Sequence, residues 1–130
     1  MTSKPSRKEI GRLGEAVAAK FLESKGFKIL ELNYWRPWGE IDIVAEKGDV
    51  VRFVEVKTVS RESLGDFSRE KTGYRPEEQV HEFKLQKVGR TAEMYMAEKD
   101  DSRDFQIDVV GVHLNVATRK AQCSLLEQVL

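Results

Sequence analysis

Apolar and polar residues recur along the chain with two periods, and the change of period separates helices from strands. Over residues 6–25 the apolar positions are three to four apart, which predicts a helix. Ser6 with Glu9 has the spacing of a capping box, and Gly26 supplies a left-handed stop. We expect the buried stripe of this helix to consist of Ile10, Leu13, Val17 and Phe21.

Three strands are predicted next, because the chain becomes rich in β-branched residues. They cover residues 27–33, 40–46 and 50–58, and residues 34–39 form the first connecting loop. Lys47-Gly48-Asp49 has the composition of a tight turn, so the second and third strands should form a hairpin.

The second half of the chain predicts a loop, a helix and one or two strands. Residues 60–74 are polar and aperiodic, and a helix then runs from Pro76 to about Lys99. A strand follows over 105–114, and residues 120–129 are compatible with a last one. The predicted core residues of the helix are Val80, Phe83, Val88, Ala92 and Tyr95.

The element order is therefore αβββαβ with a terminal strand, an α/β fold within one domain of residues 1–130. A single cysteine and two histidines argue against disulfides and structural zinc, and indicate a reducing, cytoplasmic setting. No apolar stretch approaches the length of a membrane span. The 22 basic and 22 acidic residues cancel, which by itself does not favour nucleic acid as a partner.

Acidic side chains occur on the two hairpin strands where a buried sheet would not need them. Strict alternation puts Glu40 and Asp42 on one face of their strand, and an even-numbered turn brings Glu55 and Lys57 opposite them. Carboxylates this close repel one another unless a cation neutralises them. Oxygen ligands favour Mg²⁺ or Mn²⁺, and such ions in turn favour a phosphate-bearing substrate.

The alternative is that these charges form the solvated face of an antiparallel sheet, linked by weak cross-strand ion pairs. From the spacing alone this alternative is favoured. The context supports a walled site, because Val54 and Val56 bracket Glu55 and a helix that carries Glu15 precedes the hairpin.

Several ordered motifs then match a known family. GRLGEAVAAKFLESKGFKIL, GEID, FVEVK, VHEFKLQKVGRTAEMYM and FQIDVVGV together resemble the YraN-like family of bacterial proteins, over most of the chain. The resemblance implies a restriction-endonuclease-like fold with a mixed central sheet and the PD-(D/E)xK arrangement, similar also to archaeal Holliday junction resolvases.

Carried over to this chain, the resemblance makes Asp42 and Glu55 the metal ligands and Lys57 the catalytic lysine. Glu15 matches the helix glutamate of the resolvases, and the Val56 carbonyl is a further candidate ligand. No proline precedes Asp42, which departs from the PD pattern. The leading hypothesis is a Mg²⁺- or Mn²⁺-dependent DNA endonuclease acting on branched, nicked or damaged DNA.

Two alternatives stay open: a catalytically silent module that binds nucleic acid, and a protein-interaction domain. A homodimer would suit a two-stranded cut by analogy.

Lys84 and Lys87, followed by Arg90, would line a phosphate track or form a solvated helix face. Trp35, Arg36 and Trp38 would contact unpaired bases, or the tryptophans would pack against the sheet. Asp108, within a strand, is interpreted as structural.

Overall fold

The structure is a computed structural model that describes residues 5–61 and 82–130. The predicted order of elements is confirmed within these ranges. The elements are α1 (Arg7–Ser24), β1 (Lys28–Arg36), β2 (Gly39–Lys47), β3 (Val50–Arg61), α2 (Glu82–Glu98), β4 (Phe105–Asn115) and β5 (Lys120–Leu126).

Several predictions concern residues outside the described ranges. These are most of the polar loop over 60–74 with its basic residues, and the start of the second helix at Pro76. Val80 is also outside the described residues, as is the side chain of Phe83. Of the predicted core residues of α2, Val88, Ala92 and Tyr95 are buried, which confirms that part of the prediction.

One five-stranded mixed sheet in the order β1-β2-β3-β4-β5 forms the centre of the described fold. All neighbours are antiparallel except β3 and β4, which are parallel and are connected through α2. Adjacent residues of β3 point to opposite faces: Val54 packs in the cluster that contains α1, and Phe53 packs in the cluster that contains α2. The two helices therefore cover opposite faces of the sheet.

The buried face of α1 differs from the predicted one. Its buried residues are the small side chains Gly14, Ala18 and Ala19 together with Leu22, whereas Leu13 is 52% exposed. The predicted stripe is confirmed in part, because Ile10, Val17 and Phe21 are half-buried and pack against this core. It is wrong for Leu13, because the small residues bring the helix axis close to the sheet and the helix turns their face inward. Glu15, one position from Gly14, is consequently carried to the edge of the contact with the sheet.

The first strand is longer than predicted and takes in half of the expected loop. β1 continues to Arg36, and Arg36 pairs with Gly39 of β2, so only Pro37 and Trp38 form the turn. Tyr34 is buried at 1% exposure, with its ring edge-on to Tyr95 of α2 at 5.0 Å between centroids. This aromatic contact fixes the end of β1 over α2.

The β2–β3 hairpin is confirmed, with Lys47 paired to Val50 across Gly48 and Asp49. Both turn residues have positive φ, +60° and +64°, as a two-residue hairpin that follows the strand twist requires. β4 and β5 are also found where they were predicted. Neither described helix is both long and apolar enough to cross a membrane.

Asp108 of β4 is structural, as predicted. It is fully buried and accepts hydrogen bonds from Arg52 Nη1 (3.1 Å), Gln106 Nε2 (2.8 Å) and the main-chain N–H of Gln128 (2.9 Å). These three contacts tie β3 and the segment after β5 to β4.

Candidate active site

The β2–β3 ladder ends at the pair Ile43 and Val54, one residue before the predicted site. Beyond that pair, Asp42 Oδ2 accepts a hydrogen bond from the main-chain N–H of Val56 at 2.8 Å. A carboxylate thus takes the main-chain donor of the neighbouring strand. The two strands separate here, leaving space at the end of the hairpin.

Strict alternation of faces along β2 is wrong at the same point. Ile41 packs with the α2 cluster and Ile43 packs with the α1 cluster, although they are two positions apart and should share a face. The break in alternation falls at Asp42, where side-chain bonding replaces strand pairing. The prediction that Glu40, Asp42, Glu55 and Lys57 share one flat face therefore has to be corrected to a set gathered around a gap between strands.

Glu55 is the most deeply buried acid of the set, with 2% of its surface exposed. Its Oε2 forms an ion pair with Nζ of Lys84 on α2 at 2.8 Å. Most of the Lys84 side chain remains exposed, so its ammonium reaches inward from the surface. Lys84, predicted for a phosphate track, is therefore bound to a site carboxylate.

Glu15 is positioned by a close approach of α1 to β3. A Cβ at Gly14 would lie 1.9 Å from Thr58 Oγ1, so only glycine allows this contact. A Cβ at Gly11, one turn earlier, would meet nothing within 4 Å. Glycine at position 14 brings the helix onto the strand, and glycine at position 11 leaves open space beside Glu15.

A cavity of about 560 Å³ lies where these elements meet. Glu15, Asp42, Val56, Lys57 and Lys84 are among the residues that line it. Lys57 is exposed, so its ammonium group is accessible from solvent. The cavity is mainly polar in character, which suits a charged ligand.

Burial and the repulsion between neighbouring charges raise the pKa values of the acids at this site. Burial, followed by the charge of Asp42, raises the pKa of Glu55 to about 7, although Lys84 opposes the shift. Burial also raises the pKa of Asp42 against the effect of the Val56 N–H, and burial with the charges of Asp42 and Glu40 raises the pKa of Glu15. Glu40, itself exposed, adds negative potential to the whole set.

The pKa of Lys84 is raised, which favours the charged form of its side chain. Burial alone would lower it, but the hydrogen bond to Glu55 and the charges of Glu55, Asp42 and Glu40 raise it above its ordinary value. Lys84 is therefore a persistent cation that partly neutralises the buried carboxylates.

The donor set fits a hard divalent cation, since carboxylate and main-chain carbonyl oxygens are the ligands that Mg²⁺ and Mn²⁺ prefer. Glu55 is buried and Asp42 is half-buried, and the charge of Asp42 raises the pKa of Glu55. Within residues 5–61 and 82–130, no three Asp, Glu, His or Cys side chains lie close enough together to bind one metal ion. A divalent ion at Glu55 would compete with the Lys84 ammonium.

Two predicted nucleic-acid contacts lie outside this cavity. Lys87 lines a second cavity one turn further along α2. Arg36 forms an ion pair with Glu98 at the end of α2 and lies 4.5 Å from the centroid of the Tyr34 ring. The Tyr34 hydroxyl also donates to Glu98, at 2.7 Å. Arg36 thus stabilises the contact between β1 and α2.

Sequence reasoning missed two relationships that shape the site: the Lys84–Glu55 ion pair and the contact of Gly14 with Thr58. The glycine pair Gly11 and Gly14 was a signal for close helix packing, since helix interiors disfavour glycine by about 1 kcal/mol. No local signal indicated that Lys84 reaches Glu55, because their sequence separation is long.

Comparisons with known proteins agree on the family. The model of the Uncharacterised protein family UPF0102 matches residues 14–112. A UPF0102 protein of Campylobacter fetus is 41% identical over 105 residues, 81% of this chain and 84% of the relative. One of Dictyoglomus turgidum is 40% identical over 111 residues, 85% and 86% of the two chains. One of Campylobacter hominis is 35% identical over 105 residues, 81% and 84%. Motifs, fold and these relatives agree: the chain belongs to the UPF0102 family, the YraN-like family that its sequence resembles.

Proposed function

We propose that this protein is a metal-dependent endonuclease that hydrolyses phosphodiester bonds of DNA. The observation that carries the proposal is the pair of carboxylates where the β2–β3 ladder ends: Glu55, which is buried, and Asp42, which is half-buried. Lys57 lines the same cavity as Asp42, and Glu15 approaches from α1.

Covering Glu55 fully and Asp42 in part costs stability. Each carboxylate loses hydration, and the charge of Asp42 raises the pKa of Glu55. Such an arrangement is typical of a site that binds a cation or moves protons. A solvated sheet face is a poorer explanation, because Glu55 is almost fully covered.

Asp42 and Glu55, with the Val56 carbonyl, would hold Mg²⁺ or Mn²⁺. Glu15 would join them through a movement of its side chain, because no three acids of the described residues are placed to share one ion. When bound, the ion would supply Lewis-acid stabilisation of the negative charge that develops on the scissile phosphate. The remaining functions fall to the side chains of this protein.

Those side chains divide the work by position. The Val56 N–H fixes one oxygen of Asp42, which orients the carboxylate toward the cavity. Gly14 holds α1 against Thr58 and so sets the position of Glu15. Lys57, exposed at the cavity, is placed to bind a phosphate oxygen or to orient the attacking water as a point charge.

DNA with branches or nicks is the proposed partner class, in a cytoplasmic setting, and a homodimer would suit two-stranded cutting. The formal net charge of zero is compatible with this partner, because several of the acids surround the cavity and a divalent ion would offset them. Binding is then expected to be metal-dependent and locally directed, without a uniformly basic surface.

The experiment is a cleavage assay on supercoiled plasmid and on a four-way junction, with Mn²⁺, Mg²⁺ or EDTA. Asp42→Asn keeps an oxygen for the Val56 N–H but removes the charge, and it should abolish metal-dependent cutting. The matched control is Asp49→Asn, at the exposed hairpin turn, which should cut like the wild type. Equal cutting by both variants would refute the proposal.

A second candidate function is a DNA-binding module that does not cleave. The Lys84–Glu55 ion pair favours it, because the Lys84 ammonium already neutralises the most buried acid of the site without any metal. Salt-sensitive DNA binding with no cleavage under any metal condition would support this second function over the first.

A further inference from the structure

A second cavity of about 560 Å³ lies on the outer side of α2, and it combines an aromatic ring with two cations. Its lining residues are Trp38 from the β1–β2 turn and Lys87, Arg90, Thr91 and Met94 from α2. Arg90, Thr91 and Met94 follow Lys87 by three, four and seven residues, so they lie on the same side of α2 as Lys87. Within the described part of the chain, no acidic residue lines the cavity.

Trp38 is held over this face by its neighbour. A Cβ at Gly39 would lie 2.1 Å from Thr91 Oγ1, so the turn sits directly on the helix at this point. Thr91 is itself buried and donates a hydrogen bond to the main-chain carbonyl of Lys87 at 3.0 Å. The main chain next to Trp38 is therefore held in place by its contact with α2.

Although the turn is anchored, the ring is not covered. Trp38 is 47% exposed, which is more than its packing in a core would leave. Among the described residues, Lys87 and Arg90 form no ion pair, in contrast to Lys84 and Arg36, which do. An open indole with two uncompensated cations fits a ligand that is planar and aromatic on one side and anionic on the other.

We propose that this cavity binds an unpaired nucleobase of a DNA strand, which stacks on Trp38 while Lys87 and Arg90 contact its flanking phosphates. Stacking on an aromatic side chain beside a cationic track is how proteins bind single strands without reading their sequence. The inference rests on the proposed function in one respect, because it takes DNA as the ligand.

The first cavity lies further back along the same helix. Lys84 lines it, and Lys84 and Arg90 are roughly 9 Å apart along the helix axis and about 120° apart around it. In this proposal, the DNA strand whose base stacks on Trp38 continues to Lys84 and the carboxylates, so the substrate has an unpaired base next to the cleaved bond.

The test is binding of a fluorescein-labelled ten-nucleotide thymidine single strand, measured by anisotropy in EDTA at low salt. Trp38→Ala should weaken binding about tenfold, and Trp38→Phe should restore most of it. Lys87→Gln with Arg90→Gln should weaken binding and reduce its salt dependence. Trp35→Ala is the control, since Trp35 is 62% exposed but does not line the cavity.

Unchanged binding by Trp38→Ala, or equal losses for Trp38→Ala and Trp35→Ala, would overturn the inference. Thermal unfolding of each variant shows whether the fold is kept, and Trp38→Leu, which keeps apolar bulk without an aromatic ring, replaces the alanine variant if that variant unfolds. Because the assay contains EDTA, its result does not depend on cleavage. If Trp38→Ala weakens DNA binding but no cleavage depends on Asp42, the binding site at Trp38 is supported and the endonuclease proposal is rejected.

Discussion

Lys84 on α2 and Glu55 on β3 form an ion pair of 2.8 Å between Nζ and Oε2, across the space where the proposed metal would bind. An exposed lysine thereby neutralises an acid with 2% exposure. The pair links α2 to the proposed active site. A metal ion that binds Glu55 would compete with the Lys84 ammonium, so the net charge of the site depends on which cation is bound.

Replacement of Lys84 by Met should strengthen divalent-metal binding. The ammonium competes with a metal for Glu55, and hydrogen bonds to charged groups contribute about 1.5–3 kcal/mol, so we expect affinity for Mn²⁺ to rise by roughly tenfold. Calorimetric titration with Mn²⁺ at pH 8 measures this, since Glu55 would otherwise bind a proton. Lys87→Met is the control; weaker Mn²⁺ binding by Lys84→Met would contradict the competition.

The stability of the metal-free protein should fall as pH rises from about 4.5 to 7. Glu55 has a pKa of about 7 when folded and an ordinary value of 4.5, so the folded state binds more protons in this window. Below 4.5 Glu55 is protonated in both states and its contribution to stability is most favourable; above 7 Glu55 is ionised in both states and that contribution is lost. The full difference is of the order of 3 kcal/mol.

Urea unfolding in EDTA at pH 5, 6, 7 and 8 measures this dependence. Glu55→Gln removes the titrating group, so its stability relative to the wild type should increase steadily with pH. A stability difference between the two proteins that stays constant from pH 5 to 8 would show that Glu55 ionises normally.

The two glycines of α1 should respond in opposite directions to alanine. Gly14→Ala places a methyl group against Thr58 and should destabilise the protein by about 1–3 kcal/mol, with reduced cleavage because Glu15 is displaced. Gly11→Ala meets no atom and should stabilise the helix by about 0.5–1 kcal/mol. Chemical denaturation of both variants gives the comparison, and equal effects would refute the close approach.

Asp108→Ala should be among the most damaging single changes. It removes the acceptor for Arg52, whose side chain is only 12% exposed, and for two further donors. Loss of one partner from a buried ion pair typically costs about 3–5 kcal/mol. Thermal unfolding measures the loss, and a matched change at the exposed partner, Glu127→Ala, should have a much smaller effect.

The sequence by itself determined the elements and their order. Capping at Ser6, the Gly48-Asp49 turn and the β-branched strands act over a few residues, so their effects are readable from local pattern. It also identified Glu15, Asp42, Val56 and Lys57, which the fold brings to one cavity, and Glu55 beside them. The motifs carried that information because side chains on neighbouring strands are bound to meet when a hairpin forms.

Only the tertiary structure decided how these elements face one another. The inward face of α1 depends on a contact between Gly14 and Thr58, and the change of face along β2 depends on Asp42 bonding to Val56. The ion pair of Lys84 with Glu55 and the position of Trp38 beside α2 likewise depend on how α2 packs across the sheet. Such contacts join residues far apart in sequence, and a local period records which residues are apolar but not which surface they meet.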